Sequence, residues 1–465
     1  MTETTTIVWL RRDLRLGDNP ALNAASGGGA APVFILDPVI DAQLGAAARL
    51  RLRMSLEALA LDLERIGLTL TLRRGEALAT LRDLISETNA DKVVWNRLTD
   101  GPSIARDTEV KAALKADGVA AESFGGFTLL DPWRVRTGQG GQFKVFTPFS
   151  RAFMNQDVPP PAARVALKPC TRTPRSDDLA DWDLDAPMGP ASKALAGRIK
   201  AGEAAALDRL DDWLDGPGAR YADDRNQLDK PEACTGLSEY LALGEISPRT
   251  VWSAMDRAGG ARGVEAARRQ LIWRDFAHML LFHDPEMETE NWRREWSEFP
   301  WRGDNEDAER WRRGETGVEV VDAAMRELWA TGLMHNRARM ITASYLTKHL
   351  LTHWRVGEAH FRETLIDWDP ANNAMGWQWV AGCGPDAAPF FRIFNPETQG
   401  EKFDPSGEYR KYWLKGEGAE TFRAMRPKSH VRDATEKPGQ IIDLADGRKR
   451  ALDAWKEMRE KGEAA

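Results

Sequence analysis

Four stretches of the chain gather residue types that core packing alone does not demand. The first joins YADDR (221–225) to ACTGLSEYLALGEISPR (233–249). Thr235 and Ser238 flank Gly236 just ahead of a helical run, which is how hydroxyls and free backbone N–H groups meet a phosphate at a helix N-terminus. The same residues also fit a plain N-cap. In the second stretch, RRQLIWRDFAHMLLFH (268–283), helical spacing places Gln270, Trp273, Arg274 and Ala277 on one face. A Trp beside an amide and a guanidinium supplies a stacking plate and hydrogen bonds for an extruded base. A Trp buried at a helix contact, with a solvated Arg, is the structural alternative.

The third pairs 332–354 with 365–384, where Asn336, Arg339 and Met340 share a helix face. Arg339 can meet Asp367 or Asp369 in a non-helical DWDP turn. A guanidinium held by a carboxylate would stabilise negative charge on a nearby electron-rich ring; a structural buried salt bridge uses the same groups. The fourth interleaves Arg and Lys with aromatics through 291–301, 310–314, 390–396 (FFRIFNP) and 399–403. That pattern offers phosphate contacts and stacking surfaces, or else an ordinary solvated face.

Other chemistries lack their residues. No P-loop, HExxH or GxSxG occurs, and GCGPDA (382–387) fits GxGxxA only formally, in a helical region with no preceding strand. After the first strand stand Arg11, Arg12 and Asp13 rather than a Gly-rich loop, which argues against a conventional dinucleotide site there. His278 and His283 lack a carboxylate frame for zinc and read as ordinary core or polar histidines, so no metal site is expected.

The elements that must position these groups follow from hydrophobic periodicity. Short β-branched runs at 7–10, 32–36, 68–72, 92–95 and near Phe124 alternate with helical stretches at 42–66 and 76–88. This predicts a Rossmann-like α/β domain over 1–130 with a parallel five-stranded sheet. A Pro-, Gly- and Asp-rich connector follows over 131–195. An all-α part spans 196–465, with apolar residues at helical spacing in 318–329 and 336–354. The balance of 64 Lys and Arg against 71 Asp and Glu gives −7, which excludes a chain coating nucleic acid by bulk positive charge while leaving room for a local basic groove. Three scattered cysteines exclude a disulfide framework and suit a reducing compartment. With no long apolar stretch, the expectation is a cytoplasmic protein without a membrane span. Eighteen Trp against five Tyr ask what aromatic surface is for: core, stacking, or electron passage.

Taken together, the motifs resemble the DNA photolyase/cryptochrome family over nearly the whole length, most closely its bacterial cyclobutane pyrimidine dimer photolyases. VWLRRDLRLGDNPAL, KVFTPF, TGLSEYLALGEISPR, LIWRDF, TGVEVVDAAMRELWATGLMHNRARMITASYL and ANNAMGWQWVAGCGPDAAPFFRIFNPETQGEKFD follow in the family's order. The resemblance implies FAD, active in its reduced form and bound in a U-shape by the helical domain. Tyr221, the turn Cys234, Thr235, Gly236, Leu237 and Ser238, together with Arg339, Asp367, Trp368 and Asp369, match its contacts. Asn373 takes the position facing the flavin N5, where plant-type cryptochromes tend to carry Asp; an amide there is neutral and donates no proton to the ring.

The implied activity is light-driven repair of cyclobutane dimers by electron transfer from excited FAD to a lesion flipped out of UV-damaged DNA. Enzymes acting on a base extrude it from the stack, photolyases among them. Trp273 and Trp379 match walls around the flipped dimer, and Gln270, Asn336 and Met340 line the same pocket. Arg225, Arg274, Arg337, Arg392 and Gln399 match DNA or cavity-mouth contacts. Trp377, Trp354 and Trp301 match a tryptophan chain that feeds electrons to oxidised flavin; core packing is compatible with the same placement.

Several positions depart from the family pattern. Gln270 stands for a frequent Glu, Cys234 and Gly236 for frequent Thr and Arg, and Ser103 for an acidic residue that holds a folate antenna in some relatives. The resemblance therefore leaves a second antenna chromophore open and unidentified. Asn336 replaces the catalytic His of (6-4) photolyases. The alternative function is a cryptochrome-type blue-light photoreceptor that binds FAD without repair; Asn373 and the short charged end at 443–465 favour the enzyme. A monomer is expected.

Overall fold

A computed structural model describes residues 4–189, 191–386, 391–425 and 438–464. Ala387 of the GCGPDA run and Phe390 of the FFRIFNP run lie outside the described residues. Strands β1 (Thr5–Leu10), β2 (Gly29–Leu36), β3 (Thr71–Arg74), β4 (Lys92–Asn96) and β5 (Ala120–Phe124) form a parallel sheet in the order β3-β2-β1-β4-β5. The two-residue strand Lys168–Pro169, not foreseen, adds to the start of β2. Successive side chains of β1 enter opposite cores. Val8 and Leu10 pack with Phe34, Leu52 and Leu56, whereas Ile7 and Trp9 pack with Val33, Ile35, Leu81 and Leu84. A sheet covered on both faces needs such uninterrupted apolar strands.

The third strand begins later than 68–72. Leu68 N donates to Leu63 O at 2.9 Å, so the closing turn of helix Ala46–Arg65 consumes the start of the expected strand. At the switch between β1 and β4, side chains pair among themselves: Arg11 with Asp107 at 3.0 Å and Asn96 Nδ2 with Asp13 at 2.6 Å. Charged groups thus fill the place where doubly wound folds bind dinucleotides.

The chain divides into two compact units. The first comprises Met1–Pro187, Ile199–Ala222 and Thr235–Pro285; the second comprises Met188–Arg198, Asp223–Cys234 and Glu286–Ala465. Polar ties explain why helical segments join the sheet unit. Glu203 accepts from the backbone N–H groups of Leu16 and Gly17 at 2.8 and 2.9 Å, and Asp275 accepts from those of Leu129 and Leu130 at 3.1 and 3.0 Å. Buried Glu245 pairs with buried Arg51.

The expected helix over 336–354 is not continuous. It runs as an α-helix over Asn336–Ser344, widens to a π-turn at Tyr345–His349, and stops where Leu351 takes φ +53°. A new helix, Trp354–Thr364, starts under a cap from His353.

Candidate functional site

In the first unit, Tyr221 is buried and meets Trp213 edge-on at 5.5 Å. Gly236 has φ +66°, and a Cβ there would lie 2.6 Å from Arg209 Nε, whose N–H donates to Thr235 O at 2.8 Å. The positive φ favours glycine at this turn. Helix Ser238–Leu243 starts without a side-chain cap. The plain N-cap alternative is therefore not what the fold uses: Leu237 holds the cap position, Thr235 Oγ1 accepts a long 3.4 Å bond from Leu237 N, and Ser238 is exposed.

On helix Arg262–His283, the half-buried Trp273 stacks face to face on Phe146, with centroids 3.5 Å apart and planes 5° from parallel. Phe146 comes from the KVFTPF run and holds the indole as a fixed plate. Gln270 Nε2 donates back to Ala266 O at 3.3 Å. Arg274, expected among the DNA or cavity-mouth contacts, points inward. It is buried, donates to Phe127 O at 2.7 Å, and lies over the Phe127 ring at 4.6 Å, so it works as an internal tie. His278 is a core histidine bonded to Thr99 Oγ1 at 2.8 Å. Ser103 is fully buried, its backbone N–H bonded to Asp100 at 3.0 Å.

The second unit builds a polar wall. Arg339 Nη2 reaches both Asp367 oxygens at 2.8 and 3.0 Å, and its Nε donates to Met334 O at 2.8 Å. Of the two candidate carboxylates, Asp367 pairs with Arg339. Asp369 caps helix Pro370–Ala381, accepting from Asn372 N at 2.9 Å. Trp368, between them, is buried. Asn373 is 9 % exposed, and its Nδ2 donates to Glu358 Oε1 at 2.9 Å, so its carbonyl oxygen is the atom left to face a neighbour. Burial pushes the Glu358 carboxyl up, against the pull of Arg362 at 3.2 Å. His335 caps Asn336–Ser344 through Nδ1 at 3.1 Å, and burial beside Arg337, Arg339 and Arg225 takes its pKa down to about 4. The ring is therefore neutral. Asn336 is exposed, with Nδ2 4.0 Å from Met340 Sδ one turn along.

Trp377 and Trp311 are in ring contact, as are Trp301 and Trp296. Trp377 is buried against Trp311 at 6.1 Å and Phe361 at 4.9 Å. A Cβ on Gly357 would collide with the Trp377 ring, so that ring lies flush on the helix carrying Trp354. Trp354 is wholly buried and donates to Asn291 Oδ1 at 2.8 Å. Half-buried Trp301 donates to Trp296 O at 3.0 Å. Trp379 is half-buried, donates to Asp386 O at 3.1 Å, and lines a small cavity with Lys348, Arg392 and Phe394.

The basic residues lie nearby on the same unit. Arg337 donates to Asn226 Oδ1 at 2.8 Å and lies 4.4 Å over Phe403; Arg225 and Gln399 are half-buried and Arg392 is exposed. Cys234, like Cys170 and Cys383, is a free thiol. Among the described residues no His, Cys, Asp and Glu cluster suits a metal.

Sequence reasoning missed Phe146, Trp311, His353, Glu327 and Glu358. One signal was available for Glu358, an acid on the otherwise apolar stripe Trp354, Gly357 and Phe361. Glu327, pushed up to about 7 by burial, accepts from Tyr409 OH at 2.6 Å behind this wall; nothing in its spacing announced that.

Residues 267–457 match the family described as the FAD binding domain of DNA photolyase, and residues 6–166 match that described as DNA photolyase. The chain is 44% identical to the deoxyribodipyrimidine photo-lyase of Agrobacterium fabrum over 97% of both chains. It superposes on a bacterial class III photolyase from Agrobacterium tumefaciens with a TM-score of 0.90 at 42% identity, covering 99% of this chain and 98% of that one. On a Synechocystis sp. PCC6803 cryptochrome the TM-score is 0.85 at 25% identity, covering 98% and 100%. With near-complete coverage of a photo-lyase and both halves of the chain matched, this protein belongs to the DNA photolyase/cryptochrome family.

Proposed function

We propose that this protein repairs cyclobutane pyrimidine dimers in UV-damaged DNA in the light, as a carbon–carbon lyase with FAD as cofactor. The observation that carries the reading is Asn373: a buried, neutral amide locked by Glu358. A neutral group that cannot release a proton suits a cofactor that must lend an electron and recover it unchanged. An acid there would suit a receptor that traps its altered state.

The residues present fit FAD. Gly236 sets the turn with its positive φ, and the uncapped start of Ser238–Leu243 offers N–H groups and the Ser238 hydroxyl to a pyrophosphate. By the family resemblance, Tyr221, Cys234, Thr235 and Leu237 would also contact the cofactor, and Arg339, Asp367, Trp368, Asp369 and Asn373 would hold the ribose and ring. When bound and reduced, FAD supplies on blue or near-UV excitation the electron that opens the cyclobutane ring, and takes it back afterwards. Arg339, fixed by Asp367, biases its surroundings toward negative charge.

Trp273 on its Phe146 support and Trp379 would stack the extruded lesion, with Gln270, Asn336 and Met340 offering hydrogen bonds and a soft contact. Arg225, Arg337, Arg392 and Gln399 would meet the DNA backbone; on a chain of net charge −7 that binding weakens with salt. Arg274, tied to Phe127 O, would shape the mouth of this surface from within.

Trp301, Trp354 and Trp377 would deliver electrons to the cofactor when it is oxidised. A second branch leads from Trp377 through Trp311 and His360 to Trp329, at ring distances of 6.1, 5.5 and 6.4 Å. We read 196–465 as the functional flavin domain, after an antenna-type domain over 1–130 and a connector over 131–195, in a cytoplasmic monomer; the free thiols support a reducing compartment.

The test is thymine-dimer oligonucleotide with FAD-loaded protein under blue light and in darkness. Dimers should disappear only in light. FAD present with no repair in either condition refutes the enzyme and leaves the photoreceptor.

A further inference from the structure

We propose that His353 is a positioning residue of the electron relay, its imidazole bridging half-exposed Trp301 and buried Trp354. This rests on the relay reading above. The imidazole centroid lies 5.2 Å from that of Trp301 and 5.6 Å from that of Trp354, with interplanar angles of 58° and 33°. At those separations ring atoms of His353 meet ring atoms on both sides.

Backbone bonds hold the bridge in place. His353 N donates to Arg302 O at 2.9 Å and Arg302 N donates to Leu351 O at 2.8 Å, which ties the residue after Trp301 to the segment entering Trp354. His353 Nδ1 accepts from Arg355 N at 3.2 Å as the cap of helix Trp354–Thr364. That bond requires a bare Nδ1 and puts the ring proton of the neutral form on Nε2. Burial, with Arg355 adding to it, lowers the pKa to about 4. The charged groups on the adjoining segments are Arg355 and Arg302, the latter paired with Asp307 at 2.7 Å. The ring is thus neutral near pH 7, and no cation is wedged between two indoles that must each give up an electron.

In the step concerned, one electron leaves Trp301 and fills the vacancy on oxidised Trp354. Trp354 is reduced, Trp301 is oxidised, no bond breaks, and a thiol in solution then re-reduces Trp301. The Trp301 N–H remains bonded to Trp296 O at 3.0 Å, so the hop needs no proton transfer.

Cap and ring are separable. His353→Asn keeps a capping oxygen and removes the ring, while His353→Phe keeps a ring and removes the cap acceptor. Full-length, FAD-loaded protein with oxidised cofactor is flash-excited in dithiothreitol, and the Trp301 radical is followed by transient absorption beside a thermal melt. The Asn variant should form the radical about tenfold more slowly, with a melting point lowered only by the lost ring contacts because the helix cap is kept. The Phe variant should form it at the wild-type rate while melting earlier. Wild-type radical kinetics in His353→Asn overturn the proposal, as does a Phe variant as slow as the Asn one. Trp377→Phe distinguishes the two levels. If it leaves radical formation unchanged the relay itself fails; if it slows the radical and His353→Asn does not, only the bridge fails.

Discussion

Replacing Asn373 by Asp would set two carboxyls against each other in a place with little water. Asn373 Nδ2 lies 2.9 Å from Glu358 Oε1, and the two residues are 9 % and 6 % exposed. With oxygen in place of that nitrogen, a donor–acceptor contact becomes acceptor against acceptor. Two unit charges some 4 Å apart repel by about 4 kcal/mol at an effective dielectric near 20. Arg362, 3.2 Å from Glu358, offsets part of this, leaving about 2–3 kcal/mol, or roughly 2 pH units on the pair's upper pKa.

The sign follows from which state binds the shared proton. The folded variant holds it to a higher pH than the unfolded chain does, so no stability is lost at low pH. The loss sets in as pH rises past about 4 and is complete above about 7. Urea unfolding of variant and wild type should therefore differ little near pH 4.5 and by about 2–3 kcal/mol near pH 8. The same stability difference at both pH values would mean that Glu358 does not confront residue 373 in a low-dielectric site, and the account of a locked neutral amide would fall with it.

Trp377→Phe should slow photoreduction of oxidised cofactor while sparing repair by enzyme reduced beforehand with dithionite; an unchanged photoreduction rate excludes both tryptophan branches. Trp379→Ala should weaken binding of lesion DNA by about 1–3 kcal/mol in a titration, a stacking-sized loss, and unaltered affinity would make this Trp a packing residue. Gly357→Ala forces a methyl into the Trp377 ring and should cost about 1–3 kcal/mol in unfolding with altered photoreduction, and a neutral outcome would mean the helix can draw back from that ring. Raising salt from about 50 to 200 mM should weaken lesion binding severalfold or more; salt-independent affinity would rule out phosphate contacts by Arg225, Arg337 and Arg392.

The α/β half was legible because its strands and helices repeat at periods of two and 3.6, and such patterns report burial directly. Errors fell where a local bond outweighed periodicity: the late start of β3 behind a helix-closing turn, and the break at Leu351 that frees His353 to cap Trp354. Arg274 shows the limit of a helical face, since spacing aligned it with Trp273 but Phe127, far away in the chain, decided where it went.

The family, the two kinds of architecture and the identity of the groups on offer could be read along the chain: a neutral amide, an Arg with two nearby carboxylates, a wealth of indole. Motif order and periodicity are local properties of the chain. Packing chose the partners: Asp367 for Arg339, Glu358 for Asn373, Phe146 under Trp273, His353 between two tryptophans. Those pairings join residues brought together by packing, and a hydrogen bond or ring contact is set by distance in space, which no spacing along the chain records.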